Sequence, residues 1–290
     1  MTRHLLTGAE LDRDELLALL DRADALKAAP LSSRALEGRS VALIFERPST
    51  RTRLSFEAGI FELGGQPVVL RTDDLQLSRG ESAGDTARIL SRHVAAIGVR
   101  TGPDQLLDEL AASATVPVFN MLTAEHHPCQ ALADLMTLRE AFHRLDGLKL
   151  AYVGDGNNVA RSLALLGAIA GVEIAVASPE AYGLAGAPGA RLTNDPAEAV
   201  ADAHAVYADV WVSMGDERTA GERRAALAPY RLDEALLDLA APDAIALHCL
   251  PAHPGEEITA ELLYGPRQRI WDQAENRRHV QKALLELLLR

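Results

Sequence analysis

The residues best equipped for chemistry begin at Ser49-Thr50-Arg51-Thr52-Arg53. An apolar run from Val41 to Phe45 precedes them and Leu54, Ala58 and Phe61 follow at helical spacing, which predicts strand, turn and helix with Ser49 as N-cap. The free N–H groups of a first helical turn, its positive dipole end, two Thr hydroxyls and the Arg51 guanidinium would converge on one small volume. That is an anion site, and phosphate suits it best. No Gly-x-x-x-x-Gly-Lys precedes the helix, so it is not a P-loop. Further on, Val94 to Val99 is a buried strand that ends in Arg100, a charge where α/β proteins place ligands. Pro128 suits a first helical turn and puts His127 at the N-terminus, where a neutral imidazole can donate a hydrogen bond to a developing oxyanion. A strand from Ala205 delivers Asp209 to a loop, where a carboxylate can bind an ammonium group. Another strand, Ala244 to Leu247, ends at His248-Cys249, a thiol that its neighbours can tune toward thiolate. Each residue also has a plain structural reading: an ordinary cap with solvated arginines, a surface arginine at a strand exit, a capping histidine, a capped loop, a small buried cysteine.

The elements that must position them alternate strand with helix. Asp12 or Asp14 caps a first helix running to about Ala29, with leucines 16, 17, 19 and 20 on its buried side. Gly64-Gly65 stops the second helix, and Pro67 to Leu70 is expected as a short buried strand. Helices follow from about Ala83 to Ser91 and Asp104 to Ala112, then a strand from Val116 to Phe119. The helix that opens at Pro128 continues to about Phe142 and links two domains. Asp146-Gly147 opens a fresh strand, Leu148 to Val153, before the turn Gly154-Asp155-Gly156-Asn157-Asn158 and a helix burying Leu163, Leu166 and Ile169. A strand followed by Gly-x-Gly suggests a dinucleotide fold, so a dinucleotide-binding dehydrogenase stands as an alternative. Against it, the third glycine is missing and no acid ends the next strand, Glu173 to Ala177. Residues 182–203 read as a surface connection with a short helix, and the last helix carries leucines 284, 285, 287, 288 and 289. The pattern is α/β, with two domains that are each a mostly parallel sheet flanked by helices.

A chain of 290 residues is long for one core and suits two. With only two cysteines, each in a polar motif, a disulfide framework is not expected. The net charge of −12 argues against nucleic acid as a partner, so an anionic substrate must be drawn by a local basic cluster. No apolar run reaches membrane-span length and the N-terminus lacks a signal-peptide core, which leads us to expect a cytoplasmic protein with no membrane association.

The string Ser49 to Arg53, with Phe45-Glu46 before it and Ser55-Phe56-Glu57 after it, resembles the carbamoyl-phosphate signature of the aspartate and ornithine carbamoyltransferases. The resemblance implies that Ser49, Thr50, Arg51 and Thr52 hold the phosphate and carbonyl oxygen, and that Arg100 binds the carbamoyl oxygen. His-Pro-Cys-Gln-x-Leu-Ala-Asp at 127–134 is similar to the second signature and assigns the carbamoyl group to His127 and Gln130, leaving Cys129 structural. Gln76 stands where the family has a loop that reaches the neighbouring active site of a trimer, and Gly80 replaces a lysine found in some relatives. The ornithine branch is resembled by Gly-Asp-x-Asn-Asn, which implies Asn158, and by Asp-x-Trp-x-Ser-Met-Gly, which implies Asp209, Ser213 and Met214 as ornithine ligands. His-Cys-Leu-Pro implies Cys249 at the substrate amine, with Cys249 and Leu250 also in the carbamoyl-phosphate set, and Gln-Ala-Glu-Asn-Arg adds Arg277.

Taken together, the resemblance implies an ornithine carbamoyltransferase that makes citrulline and phosphate, in arginine biosynthesis, with Arg100, His127 and Cys249 catalytic. Carbamoyl phosphate would bind residues 1–142, ornithine residues 143–272, and the helix in 273–290 would return to the first domain. Carbamoyl phosphate is already activated, so neither metal nor organic cofactor is implied. A homotrimer is implied. Transfer to putrescine or an acylated ornithine is the nearest alternative, disfavoured by Ser213-Met214-Gly215.

Overall fold

Helix α1 (Arg13–Ala28) starts at Asp12, whose side chain accepts the Glu15 N–H while Glu15 reaches back to the Asp12 N–H. Its buried face is Leu16, Leu19, Leu20, Ala23 and Leu26. The computed structural model describes residues 2–71, 73, 75–186, 189–213 and 217–290. It divides into two units, Met1–Ala133 with Glu275–Arg290, and Asp134–Ala274.

In the first unit β1 (Ser40–Phe45), α2 (Thr50–Glu62), β2 (Gln66–Arg71), α3 (Ala83–Leu90), β3 (Ala96–Arg100), α4 (Asp104–Ser113) and β4 (Val118–Leu122) alternate. They build a parallel sheet of order β2-β1-β3-β4. The strand after β1 lies on one side of it and β3 lies on the other. The order therefore reverses between β1 and β3, and the crevice outside their carboxyl ends is where open α/β sheets bind ligands. Strand β2 is only partly buried, against expectation, because it is the sheet edge and lacks a neighbour on one side. Helix α5 (Pro128–Phe142) follows, and the boundary between the units falls within it.

The second unit runs β5 (Lys149–Val153), α6 (Asn158–Ala170), β6 (Glu173–Ala177), β7 (Ala190–Thr193), α7 (Pro196–Val200), β8 (Ala205–Ala208), α8 (Ala220–Leu227), α9 (Glu234–Leu237), β9 (Ile245–His248) and α10 (Ala260–Tyr264). Its sheet is parallel in the order β7-β6-β5-β8-β9, and reverses between β5 and β8. Strand β7 lies inside the stretch expected to be a surface connection. As an edge strand it needs no continuous apolar run, and Arg191 and Leu192 are exposed.

Helix α11 (Ile270–Leu288) packs on the first unit from Glu275 onward. Arg22 donates to Glu286 at 2.6 Å, Lys27 to Asn276 at 2.7 Å, and the wholly buried Lys282 to Glu62 and to the Leu26 and Pro30 carbonyls. This contact decides which face of α2 is inward. Leu54 and Phe61 are 65% and 73% exposed, and the buried face is Thr52, Ser55, Phe56, Gly59 and Ile60 instead. Gly59 permits the approach, since a Cβ there would stand 3.2 Å from Lys282 Cγ.

Candidate active site

At the switch point of the first sheet, Ser49 is the N-cap of α2 in extended conformation, and its hydroxyl makes no capping bond to the helix. Thr52, one turn in and 1% exposed, is the hub. Its hydroxyl accepts from Arg277 Nη2 at 2.6 Å and from Arg100 Nη1 at 3.3 Å, so guanidiniums from α11 and from the end of β3 meet at the N-terminus of α2. His127, at the N-terminus of α5, is buried, and burial, followed by the charges of Arg277 and Arg100, holds its pKa well below the ordinary histidine value. It is a neutral imidazole at pH 7. Gln130, in the first turn of α5, is wholly buried. Thr50 is exposed and Arg51 half-buried.

Gln76 is exposed and begins a 3-10 turn, Gln76–Arg79, closed by Gly80 at φ +95°. A lysine would adopt that left-handed conformation only at a cost, so Gly80 has a backbone reason. Cys129 is wholly buried, donates to the Asn120 carbonyl at 3.3 Å, and burial pushes its pKa up to about 12, which makes it a packing residue. Glu46 was legible only as part of a motif. It accepts from the Thr101 hydroxyl and, at 2.7 Å, from the Gly102 N–H, tying the loop after β1 to the loop after β3.

The switch point of the second sheet gathers a different set. Asp209, just past β8 and 5% exposed, accepts from the Cys249 thiol at 2.8 Å and from the Val210 N–H at 2.8 Å on Oδ1, and from the Asn157 amide at 2.7 Å on Oδ2. Asn157 is the N-cap of α6, accepting from the Val159 and Ala160 N–H groups at 2.9 and 3.2 Å and from the Tyr152 hydroxyl at 3.1 Å. Asn158 is the first residue of α6 and half-buried, as is Ser213 beyond β8. Met214 lies outside the described residues. Leu250 has φ +61°, unusual for a leucine, and its N–H donates to His248 Nδ1 at 2.8 Å. The proton is thereby placed on Nε2, which donates to the wholly buried Glu257 at 3.2 Å. Asp209, His248 and Cys249 bring possible metal-ligand atoms within 4.8 Å of one another. Both His248 nitrogens are engaged, however, so metal ligation there would break a bond that holds Leu250 or Glu257.

Chemically, the first set is suited to an anion, with a neutral donor for a developing oxyanion, and the second can offer a carboxylate and a thiol to an amine. The Gly-x-Gly turn does not serve a pyrophosphate. The Asn157 side chain covers the N–H groups at the start of α6, and a Cβ on Gly156 would lie 2.5 Å from Leu184 N, so chain fills the space a dinucleotide needs.

Comparison with known proteins agrees in both halves. Residues 3–140 match the family described as aspartate/ornithine carbamoyltransferase, carbamoyl-P binding domain, and residues 146–288 match its Asp/Orn binding domain. The ornithine carbamoyltransferase of Acidothermus cellulolyticus is 54% identical, covering 100% of this chain and 97% of that one. That of Parafrankia is 52% identical over 99% and 96%. The solved ornithine carbamoyltransferase of Pyrococcus furiosus superposes with TM-score 0.93 at 44% identity, covering 98% and 96%, and that of Thermus thermophilus with 0.92 at 41%, covering 100% of both. Motifs, switch-point geometry and full-length similarity converge, and the chain belongs to the aspartate/ornithine carbamoyltransferase family, among its ornithine carbamoyltransferases.

Proposed function

We propose that this chain transfers the carbamoyl group of carbamoyl phosphate to the side-chain amine of L-ornithine, giving L-citrulline and phosphate. The observation that carries the reading is the meeting of Arg100 and Arg277 on Thr52 at the first turn of α2, beside a neutral His127. Residues 1–142 take carbamoyl phosphate, residues 143–272 take ornithine, and residues 273–290 return Arg277 to the first. Ser49, Thr50, Arg51 and Thr52 hold the phosphate, with Gln76 from a neighbouring subunit. Arg100, His127, Gln130, Cys249, Leu250 and Arg277 hold the carbamoyl group, and Asn158, Asp209, Ser213 and Met214 hold ornithine.

The neutral δ-amine attacks the carbonyl carbon, the oxyanion is steadied by Thr52, Arg100 and His127, and phosphate departs against the α2 N-terminus. From a Lys-like pKa near 10.4, deprotonating the amine at neutral pH costs roughly 4 kcal/mol. Cys249, whose thiol lies on Asp209, takes part in managing that proton. The rate therefore rises from neutral to mildly alkaline pH.

The exposed Leu54 and Phe61 on α2 support a homotrimer, which light scattering would report. On this reading citrulline formation serves arginine biosynthesis. Among the described residues no helix is long and apolar enough to cross a membrane, and the proposed location is the cytoplasm. The deciding experiment is a ureido-product assay comparing ornithine, putrescine, N-acetylornithine and aspartate as acceptors. Ornithine is expected to exceed the others in kcat/KM; equal or faster turnover of putrescine or N-acetylornithine would overturn the assignment.

A further inference from the structure

We infer that Asn157 is a positioning residue whose side-chain amide orients the Asp209 carboxylate and, through it, the Cys249 thiol. The inference rests on the reading of Asp209 and Cys249 as the residues that serve the ornithine amine. The orientation of the Asn157 amide follows from its partners. Three donors converge on Oδ1, the Val159 and Ala160 N–H groups and the Tyr152 hydroxyl, so the NH2 group is the end that faces Asp209. The two N–H groups belong to the first turn of α6, so the amide is fixed by a helix terminus and cannot turn without uncapping it. One Asp209 oxygen is then held by Asn157, which leaves the other to take the Cys249 S–H at 2.8 Å and the Val210 N–H. Asn157 thus couples the cap of α6 to the direction in which the thiol points. The neighbouring Asn158 belongs to the ornithine ligands, and Asn157 does not need to touch substrate to matter.

The test separates capping from orientation, because Asp and Ser both cap helices. Asn157→Asp keeps the acceptor but sets a second carboxylate against Asp209. Two carboxylates at the 2.7 Å separation now spanned by the amide hold one proton between them. While that proton is present, the O–H of the introduced carboxyl group reproduces the amide donor, and once it is lost the two charges repel. The ratio of variant to parent kcat should therefore fall as pH rises, by about tenfold per pH unit beyond the shared titration. The other ionisable groups around this turn include the Tyr152 and Tyr207 hydroxyls, the Cys249 thiol, the His248 imidazole, and Asp155 paired with Arg223 at 2.9 Å. They are common to both proteins, so the ratio isolates the new pair. Asn157→Ser, which caps but cannot donate to Asp209 in the same way, should lower kcat at every pH with a flat ratio. A flat ratio for Asn157→Asp between about pH 6.5 and about pH 9.5, the range spanning ordinary histidine and thiol titration, would overturn the inference. Full transfer by Asp209→Asn would instead overturn the reading beneath it.

Discussion

Replacing Thr52 by valine removes one hydroxyl, at near-constant volume, from a position 1% exposed. That hydroxyl accepts from Arg277 at 2.6 Å and Arg100 at 3.3 Å. Hydrogen bonds involving charged groups contribute about 1.5–3 kcal/mol, and the longer of the two lies outside the favoured range. The expected loss is about 2–3 kcal/mol in the first unit, which at roughly 2–4 °C per kcal/mol lowers its thermal midpoint by about 4–12 °C. Function should suffer more than stability, because in the proposed mechanism the same hydroxyl donates to the developing oxyanion: kcat falls about 10²–10³-fold, the usual effect of removing one such donor. Phosphate affinity should fall about tenfold, as the guanidiniums lose the acceptor that aims them at the α2 N-terminus. Calorimetry with and without phosphate and carbamoyl-phosphate saturation kinetics measure these. A variant with unaltered midpoint, kcat and phosphate affinity would refute the reasoning, showing that the convergence on Thr52 organises nothing.

His127 supplies a pH signature. Its folded pKa lies well below 6.5, so below about pH 6.5 the unfolded chain binds a proton that the folded chain does not, and stability falls with falling pH by up to about 1.4 kcal/mol per unit. His127→Asn should flatten that limb in urea titrations between about pH 6.5 and about pH 5 while lowering kcat; an identical limb would exclude His127 as its source. Cys129→Ala should retain kcat/KM, and in a Cys249→Ala background native protein should resist alkylation at about pH 8.5, because the remaining thiol titrates near 12 and is wholly buried; rapid labelling of the folded protein would contradict this. Gly98→Ala would put a Cβ 2.5 Å from the Phe119 ring, which already packs on Phe56 at 5.1 Å. The urea midpoint should drop by the equivalent of about 1–3 kcal/mol, and an unchanged midpoint would mean that β3 shifts freely.

Much of the site was legible because its signals are local. Ser49 before a helical period, Arg100 after an apolar run and Pro128 beside His127 each announce position by a rule spanning a few residues. What escaped depends on contacts far apart in the chain. The convergence of Arg277 and Arg100 on Thr52 joins residues 225 apart in one pair and 48 in the other. The inward face of α2 is set by Lys282 and Gly59, so Leu54 and Phe61 gave the helix its period but not its orientation. Edge strands β2 and β7 depart from expectation in opposite senses, one less buried than its apolar run suggests and the other a strand where none is expected, because a strand paired on one side leaves no fixed hydrophobic pattern. Asn157 is the instructive case: the capping rule alone points to it, whereas the motif directs attention to Asn158.

The electrostatics of the two sets explain how a chain of net charge −12 can hold a phosphorylated substrate. Elsewhere, among the described residues, several buried or half-buried cations meet carboxylates: Arg22 meets Glu286, Lys282 meets Glu62 and Arg223 meets Asp155. At the α2 N-terminus Arg100 and Arg277 share a neutral hydroxyl as an acceptor, which aligns the two guanidiniums. His127 registers the result, since after burial the contributions to its lowered pKa come from these two arginines. In the second unit the polarity is reversed, with Asp209 ordered by a thiol and an amide that carry no positive charge. On the proposed function an anion is drawn to one set and an ammonium to the other, which is the charge pairing that carbamoyl phosphate and a diamino acid present. The sorting is helped by neutral partners such as Thr52, Asn157 and Cys249: a carboxylate in place of Thr52, or a cation in place of Asn157 or Cys249, would cancel the field of its half.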